Sequence, residues 1–180
     1  SMKRNYVPKI LGIIAEYNPF HSGHLYQINT AKSLCAADYV VVIMSGHFTQ
    51  RGDPAIYDPY IRSQMALKAG VDAVYEMPAA FSTASAADFA FYAINFLTLL
   101  NVDYISFGVE DATLTELQYV SDVLLNESDD YKNLIKHKLA KGYSYPVSRR
   151  EALISELEKN KHFSAERIKK LLSTPNNILG

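Results

Sequence analysis

The sequence predicts an α/β fold in which a parallel sheet is flanked by helices and continues into a C-terminal helical extension. Four short apolar runs rich in Val, Ile, Tyr and Phe recur roughly every 30 residues, and runs this continuous are typical of strands covered on both faces. The segments between them have the apolar spacing of amphipathic helices, which suits crossover connections. Beyond residue 108 only helical patterns follow. These three observations favour a Rossmann-like sheet of at least four parallel strands.

Strands and helices alternate through the first part of the chain. The predicted strands are Ile10–Ala15, Tyr39–Met44, Ala73–Met77 and Tyr104–Phe107. The apolar stripes of the helices fall on Leu25, Ile28, Ala31 and Leu34, on Ile61, Met65 and 67–69, and on Phe89, Ala93, Phe96, Leu97 and Leu100. Gly70 and Asn101 are expected to follow two of these helices, because both residue types tolerate the left-handed backbone of a helix C-terminus.

Four further helices are predicted beyond the sheet. They cover Leu114–Leu125, Tyr131–Lys141, Ser148–Lys159 and Ser164–Leu172, with Thr113, Ser148 and Ser164 as N-caps. We therefore divide the chain into a Rossmann-like domain at residues 3–125 and a basic helical extension at residues 126–180.

The composition excludes several classes of protein. At 180 residues with 48% hydrophobic composition, the chain can bury one core. Its apolar stretches are too short or too interrupted to span a bilayer, so we expect no membrane association and a cytoplasmic location. The single cysteine, Cys35, cannot form an intramolecular disulfide. No feature of the sequence indicates a protein partner.

The net charge of −1 hides an asymmetry along the chain. Residues 131–180 hold 11 Lys or Arg against four Glu, a local charge of +7, which leaves −8 for residues 1–130. A basic segment of this kind fits a phosphate-rich partner such as a nucleic acid. Solvated helix faces account for it equally well.

The loop after the first predicted strand contains the residues most suited to chemistry. It lies in GIIAEYNPFHSGHLYQ, residues 12–27, and ligands of parallel α/β sheets bind where the strands end. Pro19 ends the strand, and Gly23 lets a bulky ligand approach free amides at the start of the next helix, which favour a phosphate. His21 and His24 are three residues apart, so both can donate to oxygens that gain charge in a phosphoryl or nucleotidyl transition state.

The histidine pair also fits a metal site or a purely structural role. A His-x-x-His pair can bind a metal, but a zinc site needs further ligands and Cys35 lies in the middle of a helix, so we assign no metal site. A structural role for both histidines stays open.

Four blocks of sequence resemble known enzymes. The tetrapeptide HSGH between a strand and a helix resembles the signature of the HIGH-type nucleotidylyltransferase superfamily. The longer blocks AEYNPFHSGHLYQ, VVIMSGHFTQRGDPAIYDPYIRSQMALKAGVDAVYEMP, VDYISFGVE and LSTPNNILG, in this order, closely resemble the tRNA(Met) cytidine acetate ligase family. The resemblance is collinear from Ile10 to Gly180.

The resemblance implies a ligase that uses ATP to activate acetate as acetyl-adenylate and then acetylates the wobble cytidine of elongator tRNA(Met). It implies ATP as cofactor and acetate and the tRNA as partners. For this chemistry we expect Mg2+ as a second cofactor and His21 and His24 as the catalytic residues, because both can stabilise the charge that develops on phosphate oxygens. By position, the ATP-binding residues of the family fall on Ile14, Ala15, Glu16, Tyr17, Asn18, Pro19, Phe20, His21, Ser22, Gly23, His24, Leu25, Tyr26, Gln27, Gly108, Asn176 and Asn177.

The later ATP-binding positions also make physical sense. Gly108 follows the fourth strand at the edge where His21 is expected, and it has no side chain to obstruct an adenine or ribose. Thr174 can cap a short helix, which leaves the amides of Asn176 and Asn177 among its unsatisfied donors. Simple turn or capping roles for these residues stay open.

The loop SGHFTQRGD, residues 45–53, leaves the second strand at the same edge. Gly46 and Gly52 permit a mobile loop, and Gln50 and Arg51 are candidates to contact acetate, phosphate or the incoming nucleotide. Arg51 is the stronger candidate because a guanidinium matches a carboxylate or phosphate, although an ion pair with Asp53 accounts for it nearly as well.

Two more pairs of residues are candidates. Glu16 and Glu110 lie at strand ends and can hold Mg2+ directly or through water. Arg149 and Arg150 follow aromatic residues in YSYPVSRREAL, a combination suited to RNA phosphates and unstacked bases, although a solvated helix start accounts for it as well.

The family pattern continues past Gly180 through a basic segment that completes the nucleotide site and helps to hold tRNA. We therefore expect the chain to be truncated relative to the family, so that ATP binding can survive where tRNA acetylation does not. Two alternative functions stay open. One is another HIGH-type adenylyltransferase that acts on a small phosphate, and the other is a non-catalytic module that binds a nucleotide or RNA.

Overall fold

The computed structural model describes residues 6–50, 52–159, 163–174 and 177. The chain divides into two compact units, Ser1–Phe107 and Gly108–Gly180. Each is described by itself below.

The first unit is built on the predicted parallel sheet. Its strands are β1 (Ile10–Ala15), β2 (Tyr39–Ser45), β3 (Ala73–Met77) and β4 (Tyr104–Ser106), arranged in the order β3-β2-β1-β4. Strand β1 lies between β2 and β4, with Leu11 opposite both Val40 and Tyr104. Strand β2 also pairs with β3, and every pairing is parallel. The predicted α/β fold class is therefore confirmed.

The helices that connect these strands cover both faces of the sheet. They are α1 (Ser22–Cys35), α2 (Pro59–Lys68), α3 (Ala79–Ser82) and α4 (Ala86–Leu99). Ile28 of α1 and Ala66 of α2 join Leu11 in one core cluster. Leu97 of α4 lies against Gly12, which points to the opposite face from Leu11 because side chains alternate along a strand.

The apolar stripes agree with the prediction in one helix and differ in another. In α4 the predicted residues Ala93 and Leu97 are fully buried. In α2 the buried face instead contains Arg62 and Ala66, while the predicted Ile61 is 44% exposed. The prediction was wrong by one position because it placed the charged residue in solvent.

Other local predictions have mixed outcomes. Gly70 and Asn101 adopt φ angles of 100° and 52°, which confirms the left-handed backbone expected after their helices. Leu34 is 82% exposed, so the buried stripe of α1 ends before it. Helix α3 was missed because four residues are too few to show a helical period.

Aspartates tie the amino-terminal ends of the strands together. Asp38 and Asp103, which precede β2 and β4, each accept a backbone N–H at the start of β1, at 2.7 and 2.8 Å. Asp72, which precedes β3, accepts the N–H of Val40 at 2.7 Å. Each carboxylate satisfies a backbone donor where a parallel ladder begins, and so helps to fix the strand register.

The second unit is helical in its described part, as predicted. Its helices are α5 (Leu114–Leu125), α6 (Asp129–Ala140), α7 (Tyr145–Lys159) and α8 (Ala165–Leu171). Helix α7 packs against α5, α6 and α8 around a core that includes Ile135, Leu153 and Ile168. Among the described residues, no helix is both long and apolar enough to cross a membrane.

Two details of this unit differ from the sequence analysis. The units divide before α5, whereas the boundary was placed at residue 125, because Val120 and Leu124 of α5 pack on the core of the second unit. The caps at Thr113 and Ser164 are confirmed, but Ser148 is not a cap. Helix α7 begins at Tyr145, next to a proline that suits a first helical turn, and the Ser148 hydroxyl donates to the carbonyl of Ser144 at 2.9 Å.

Asp72→Ala is expected to lower the free energy of unfolding by about 1–2 kcal/mol, because the N–H of the buried Val40 loses its side-chain acceptor. Asp72→Asn keeps an acceptor oxygen and is the matched control, with a smaller expected loss. Urea unfolding of the three proteins measures the difference. Equal stability of the parent and the alanine variant would contradict this role of the carboxylate.

Candidate active site

Two histidines form the N-terminal cap of α1 at the carboxyl end of β1. His21 is the N-cap residue, and its Nδ1 accepts the N–H of Gly23 at 3.1 Å. The backbone N–H of His21 in turn donates to Nδ1 of His24 at 3.2 Å. Together they form a capping box, in which imidazoles take the places that Ser or Thr and Glu normally occupy. The helix start itself therefore holds the two rings together.

These hydrogen bonds indicate which nitrogen of each ring accepts and which is left to donate. A nitrogen that accepts a hydrogen bond has no proton of its own, so Nδ1 is the unprotonated atom in both His21 and His24. The proton of each ring is therefore on Nε2. The rings stack with their centroids 3.7 Å apart and their planes 22° apart. The pair thus offers two Nε2–H donors from one compact group.

Gly23 packs closely against this cap. A Cβ at this position would lie only 3.0 Å from Cε1 and 3.1 Å from Nδ1 of His21. The sequence analysis expected free amides at this helix start, and the N–H of Gly23 is not among them because it donates to Nδ1 of His21. A phosphate that approached this helix start would instead have the imidazole Nε2–H groups as donors.

An aromatic cluster supports His24 from the preceding loop. The buried Tyr17, with a φ of 49°, packs edge-on against Phe20 and His24 at centroid distances of 4.9 and 4.8 Å. Burial, and to a smaller extent the charge of His21, lowers the pKa of His24 from 6.5 to about 4. His24 is therefore neutral near pH 7, as the hydrogen bond to its Nδ1 requires.

A fully buried arginine joins the loops that follow β1 and β2. Nη1 of Arg62 donates to the carbonyl of Glu16 at 2.5 Å, and Nη2 donates to the carbonyl of Gly46. Nε donates to the carbonyl of Tyr57 at 3.0 Å. Burial lowers the pKa of Arg62, and nearby carboxylates, of which Glu16 has the largest effect, oppose this shift.

The sequence analysis did not identify Arg62. A signal was available, because Arg62 lies four residues before Ala66 and therefore on the same face of α2. A charged residue on the buried face of a short helix indicates that its charge has partners in the interior.

Two side chains of the first loop bind the backbone of the second. Oε1 of Glu16 accepts the N–H of Gln50, and Oδ1 of Asn18 accepts the N–H of Ile56, both at 2.7 Å. Gln50 therefore lies beside the segment predicted to bind ATP. Arg51, the other candidate in this loop, lies outside the described residues.

The second loop is closed by its own backbone hydrogen bonds. The N–H of Thr49 donates to the carbonyl of Asp53, and the N–H of Ala55 donates to the carbonyl of His47, both at 2.8 Å. The sequence analysis expected Gly46 to permit a mobile loop. In the structure Gly46 is buried and its carbonyl accepts a hydrogen bond from Arg62, while Gly52 is exposed with a φ of 83°.

The rest of the segment at residues 14–27 lies partly in the sheet and partly on α1. Its exposed residues are His21, Ser22, Gly23, Leu25 and Tyr26, and its half-buried residues are Ile14, Ala15, Glu16, Asn18, Pro19, Phe20, His24 and Gln27. Nε2 of Gln27 donates to Oγ of Ser106 at 3.1 Å, so this predicted ATP-binding residue contacts the end of β4.

In the second unit, the side-chain amide of the buried Asn177 is bound to backbone groups. Its Oδ1 accepts the N–H of Glu110 at 2.8 Å, and its Nδ2 donates to the carbonyls of Glu110 and Leu171 at 2.9 and 3.0 Å. Gly108 is exposed, two residues before Glu110, and Asn176 lies outside the described residues. Asn177 therefore holds the segment that contains Gly108.

Arg167, which the sequence analysis did not single out, holds the same segment from α8. It donates from Nε and Nη2 to the two carboxylate oxygens of Glu116 at 2.6 and 2.8 Å, and also from Nη2 to the carbonyl of Asp111 at 2.8 Å. The hydrogen bond from Arg167 is the main reason that the pKa of Glu116 falls to about 2. Since Glu116 also forms the capping box of α5 with Thr113, the arginine stabilises this helix start.

The two arginines proposed from the sequence for RNA have different surroundings. Arg149 is half-buried beside the hydroxyl of Tyr131, whose pKa is raised by burial, an effect that the arginine opposes. Arg150 is exposed and lines an open groove of about 620 Å³ together with Lys138 and Lys169. Of the pair, Arg150 is the one available to a phosphate.

The described residues include isolated carboxylates but no cluster of side chains that could bind a metal by itself. In this part of the chain no three His, Cys, Asp or Glu side chains lie together as metal ligands. One oxygen of Glu16 already accepts the N–H of Gln50. Glu110, the other Mg2+ candidate, lies in the second unit.

The pKa of His24 predicts a pH dependence of folding. An unfolded His24 titrates near 6.5, whereas the folded residue resists protonation down to about pH 4. Its contribution to the free energy of unfolding is therefore complete above about pH 6.5 and is lost as the pH falls toward 4. His24→Asn keeps an acceptor near the position of Nδ1 and removes the titrating ring. The free energy of unfolding of the parent minus that of the variant, measured in urea from pH 7 to pH 4, is expected to decline as the pH falls. A difference that stays constant over this range would contradict the prediction.

Comparison with known proteins relates this site to a family. The family model described as HIGH Nucleotidyl Transferase matches residues 8–180. The chain is 46% identical to the tRNA(Met) cytidine acetate ligase of Thermoanaerobacter sp. (strain X514), over 94% of this chain and 41% of that protein. It is 44% identical to the protein of the same name from Acetivibrio thermocellus, over 96% of this chain and 40% of that protein. The chain therefore spans about two fifths of the length of these relatives.

Solved structures agree with this relationship. The crystal structure of Thermotoga maritima TmcAL bound with alpha-thio ATP matches with a TM-score of 0.85 and 41% identity, over 95% of this chain and 41% of that chain. The apo form I of the same protein matches with a TM-score of 0.86 and 41% identity, over 95% of this chain and 40% of that one. These matches confirm the Rossmann-like fold and the resemblance found in the four sequence blocks. The chain belongs to the HIGH nucleotidyl transferase family.

Proposed function

We propose that this chain is the portion of a tRNA(Met) cytidine acetate ligase that uses ATP to activate acetate. The whole enzyme then acetylates the wobble cytidine of elongator tRNA(Met). The observation that carries the proposal is the capping box of His21 and His24, which offers one Nε2–H donor from each ring at the carboxyl edge of a parallel sheet. Relatives with this name support the proposal, and the chain spans 41% of the length of one of them.

ATP is the proposed nucleotide. By position, its binding residues are 14–27 together with Gly108, Asn176 and Asn177. A relative that is 41% identical was solved bound with alpha-thio ATP, which supports this choice. In the part of this set that the structure describes, His21 and His24 are suited to the phosphates, because their Nδ1 atoms are already bound and only Nε2–H is left to donate.

The proposed reaction needs no nucleophile from the protein. A carboxylate oxygen of acetate attacks the α-phosphorus of ATP, the bond to the bridging oxygen breaks, and pyrophosphate leaves. The exocyclic amine of the cytidine then attacks the acetyl carbon of acetyl-adenylate, AMP leaves and the amine loses a proton. His21 and His24 donate hydrogen bonds to phosphate oxygens as charge develops there, so they act by position and electrostatics.

Acetate is proposed to bind near the loop that follows β2. Gln50 of this loop is held beside Glu16 by the hydrogen bond at 2.7 Å, which supports a place close to the nucleotide segment. Arg51 is the proposed partner of the acetate carboxylate or of a phosphate, since its planar guanidinium can donate two parallel hydrogen bonds.

Mg2+ is proposed to accompany the triphosphate. Single carboxylates such as Glu16, rather than a cluster in the described residues, fit a metal that keeps several waters and is held mainly by phosphate oxygens. When bound, Mg2+ neutralises phosphate charge.

The tRNA is proposed to contact the basic second unit. The local charge of +7 over residues 131–180 and the exposed Arg150, which lines a groove with Lys169, support this placement, while Lys138 in the same groove is paired with Glu151. The exposed Tyr143 and Tyr145 can stack on unpaired bases.

His21→Asn and His24→Asn are each expected to slow acetate-dependent exchange of pyrophosphate into ATP by roughly 100-fold or more, as loss of a donor to a developing charge does. Asparagine keeps an acceptor near the position of Nδ1, so the cap is retained, but it has no donor where Nε2 lies. Pyrophosphate exchange measures the chemistry, and thermal unfolding shows that the fold is kept.

His137→Asn is the matched control for this experiment. It removes an exposed imidazole from α6 and is expected to leave exchange unchanged. Unchanged exchange in the His21 and His24 variants would remove these residues from the mechanism. Exchange that requires a small phosphate in place of acetate would indicate another adenylyltransferase, and ATP binding without exchange would indicate a nucleotide-binding module.

Arg150→Gln is expected to weaken binding of elongator tRNA(Met) about threefold to tenfold and to reduce the salt slope of the affinity by about 1, as loss of one phosphate contact does. Lys159→Gln is the control, because Lys159 is already paired with Asp130 and Glu156 at 2.8 and 2.6 Å. Filter binding at several salt concentrations provides the measurement. An affinity that is the same for Arg150→Gln and the parent would place the RNA elsewhere.

A further inference from the structure

We propose that Arg62 is a positioning residue for the activation step: its guanidinium fixes the loop that carries the proposed nucleotide-binding residues against the loop proposed to bind acetate. The inference rests on the proposed function for its chemistry, and on the contacts of Arg62 for its geometry. Arg62 itself contacts neither ligand in this proposal. It acts through the backbone of the two loops.

The contacts of Arg62 are distributed over both loops. Its Nη1 binds the carbonyl of Glu16, directly after β1, and its Nη2 binds the carbonyl of Gly46, directly after β2. Its Nε binds the carbonyl of Tyr57, where the second loop returns to α2. One rigid planar group therefore holds the start of the first loop and both ends of the second.

Burial makes this contact difficult to replace. Arg62 has no exposed surface, so water has no access to its guanidinium in this structure. Lysine has a single ammonium, which cannot reach in three directions as the separate nitrogens of a guanidinium do. An aliphatic residue would leave the carbonyl of the half-buried Glu16 and that of the buried Gly46 without these donors.

Side-chain hydrogen bonds also join the two loops directly. Among the carboxylates whose charges act on Arg62, that of Glu16 has the largest effect, and its Oε1 accepts the N–H of Gln50. Asn18 makes the second side-chain contact between the loops, to the N–H of Ile56. The amides of Gln50 and Ile56 therefore report whether the two loops keep their separation.

Arg62→Lys is expected to expose these two amides. Hydrogen exchange followed by NMR is predicted to accelerate about tenfold or more at Gln50 and Ile56, since weakening the shared anchor makes local opening easier. The amide of Val40, bound to Asp72 at the other end of β2, is the internal control and is expected to keep its protection. Unchanged exchange at Gln50 and Ile56 would overturn the proposal.

The same variant separates positioning from nucleotide binding. The hydrogen bonds of the histidine cap lie within residues 21–24, beyond the backbone that Arg62 holds, so the Kd of ATP is expected to change less than kcat/KM for acetate, which falls about tenfold or more. Equal losses in both quantities would indicate a general loss of structure and would overturn the proposal. Lys68→Gln removes an exposed cation from the same helix and is expected to change neither quantity.

Two further arms keep the test decisive. If Arg62→Lys does not fold, Arg62→Gln is measured in the same way. This variant removes both the buried charge and the branched guanidinium group. If the parent chain shows no acetate-dependent exchange, the proposed function fails, while hydrogen exchange at Gln50 and Ile56 still decides whether Arg62 holds the loops. The two failures are therefore distinguishable.

Discussion

The carboxyl edge of the sheet depends on one buried positive charge. Parallel strands end with carbonyls that have no further strand to pair with, and the carbonyls of Glu16 and Gly46 are in this position. Arg62 donates to both of them from one guanidinium that is closed to solvent. Hydrogen bonds from a charged donor are stronger than neutral ones, which offsets part of the cost of burying the charge. The loops after β1 and β2 are therefore fixed to each other by contacts within the protein.

The amino edge of the same sheet shows the complementary solution. There the strands begin with unpaired N–H groups, and carboxylates accept them: Asp38 and Asp103 at the start of β1, and Asp72 at Val40. Acceptors at one edge and a donor at the other follow directly from the polarity of parallel strands. Opposite charges therefore hold opposite ends of one sheet.

At the helix start, one set of contacts serves both structure and the proposed chemistry. The capping box uses Nδ1 of His21 and His24, which leaves Nε2–H on each ring. Burial keeps His24 neutral, so its cap and its donor persist together near pH 7. The second unit follows a similar principle, because Arg167 and Asn177 fix the segment that contains Gly108. In both units, side chains distant in sequence hold the loops proposed to bind the nucleotide.

The sequence by itself determined the alternation of strands and helices, the parallel sheet and the closeness of His21 and His24, because each depends on local spacing. Only the tertiary structure decided which groups were free. The N–H of Gly23 donates to Nδ1 of His21, and the carbonyl of Gly46 accepts a hydrogen bond from Arg62. Arg62 and its partner Glu16 are 46 residues apart in the sequence. The spacing of apolar residues along one element cannot indicate a contact between residues so far apart. The start of α7 before Ser148 and the packing of α5 with the second unit are likewise decided by contacts and backbone geometry that the apolar pattern does not contain.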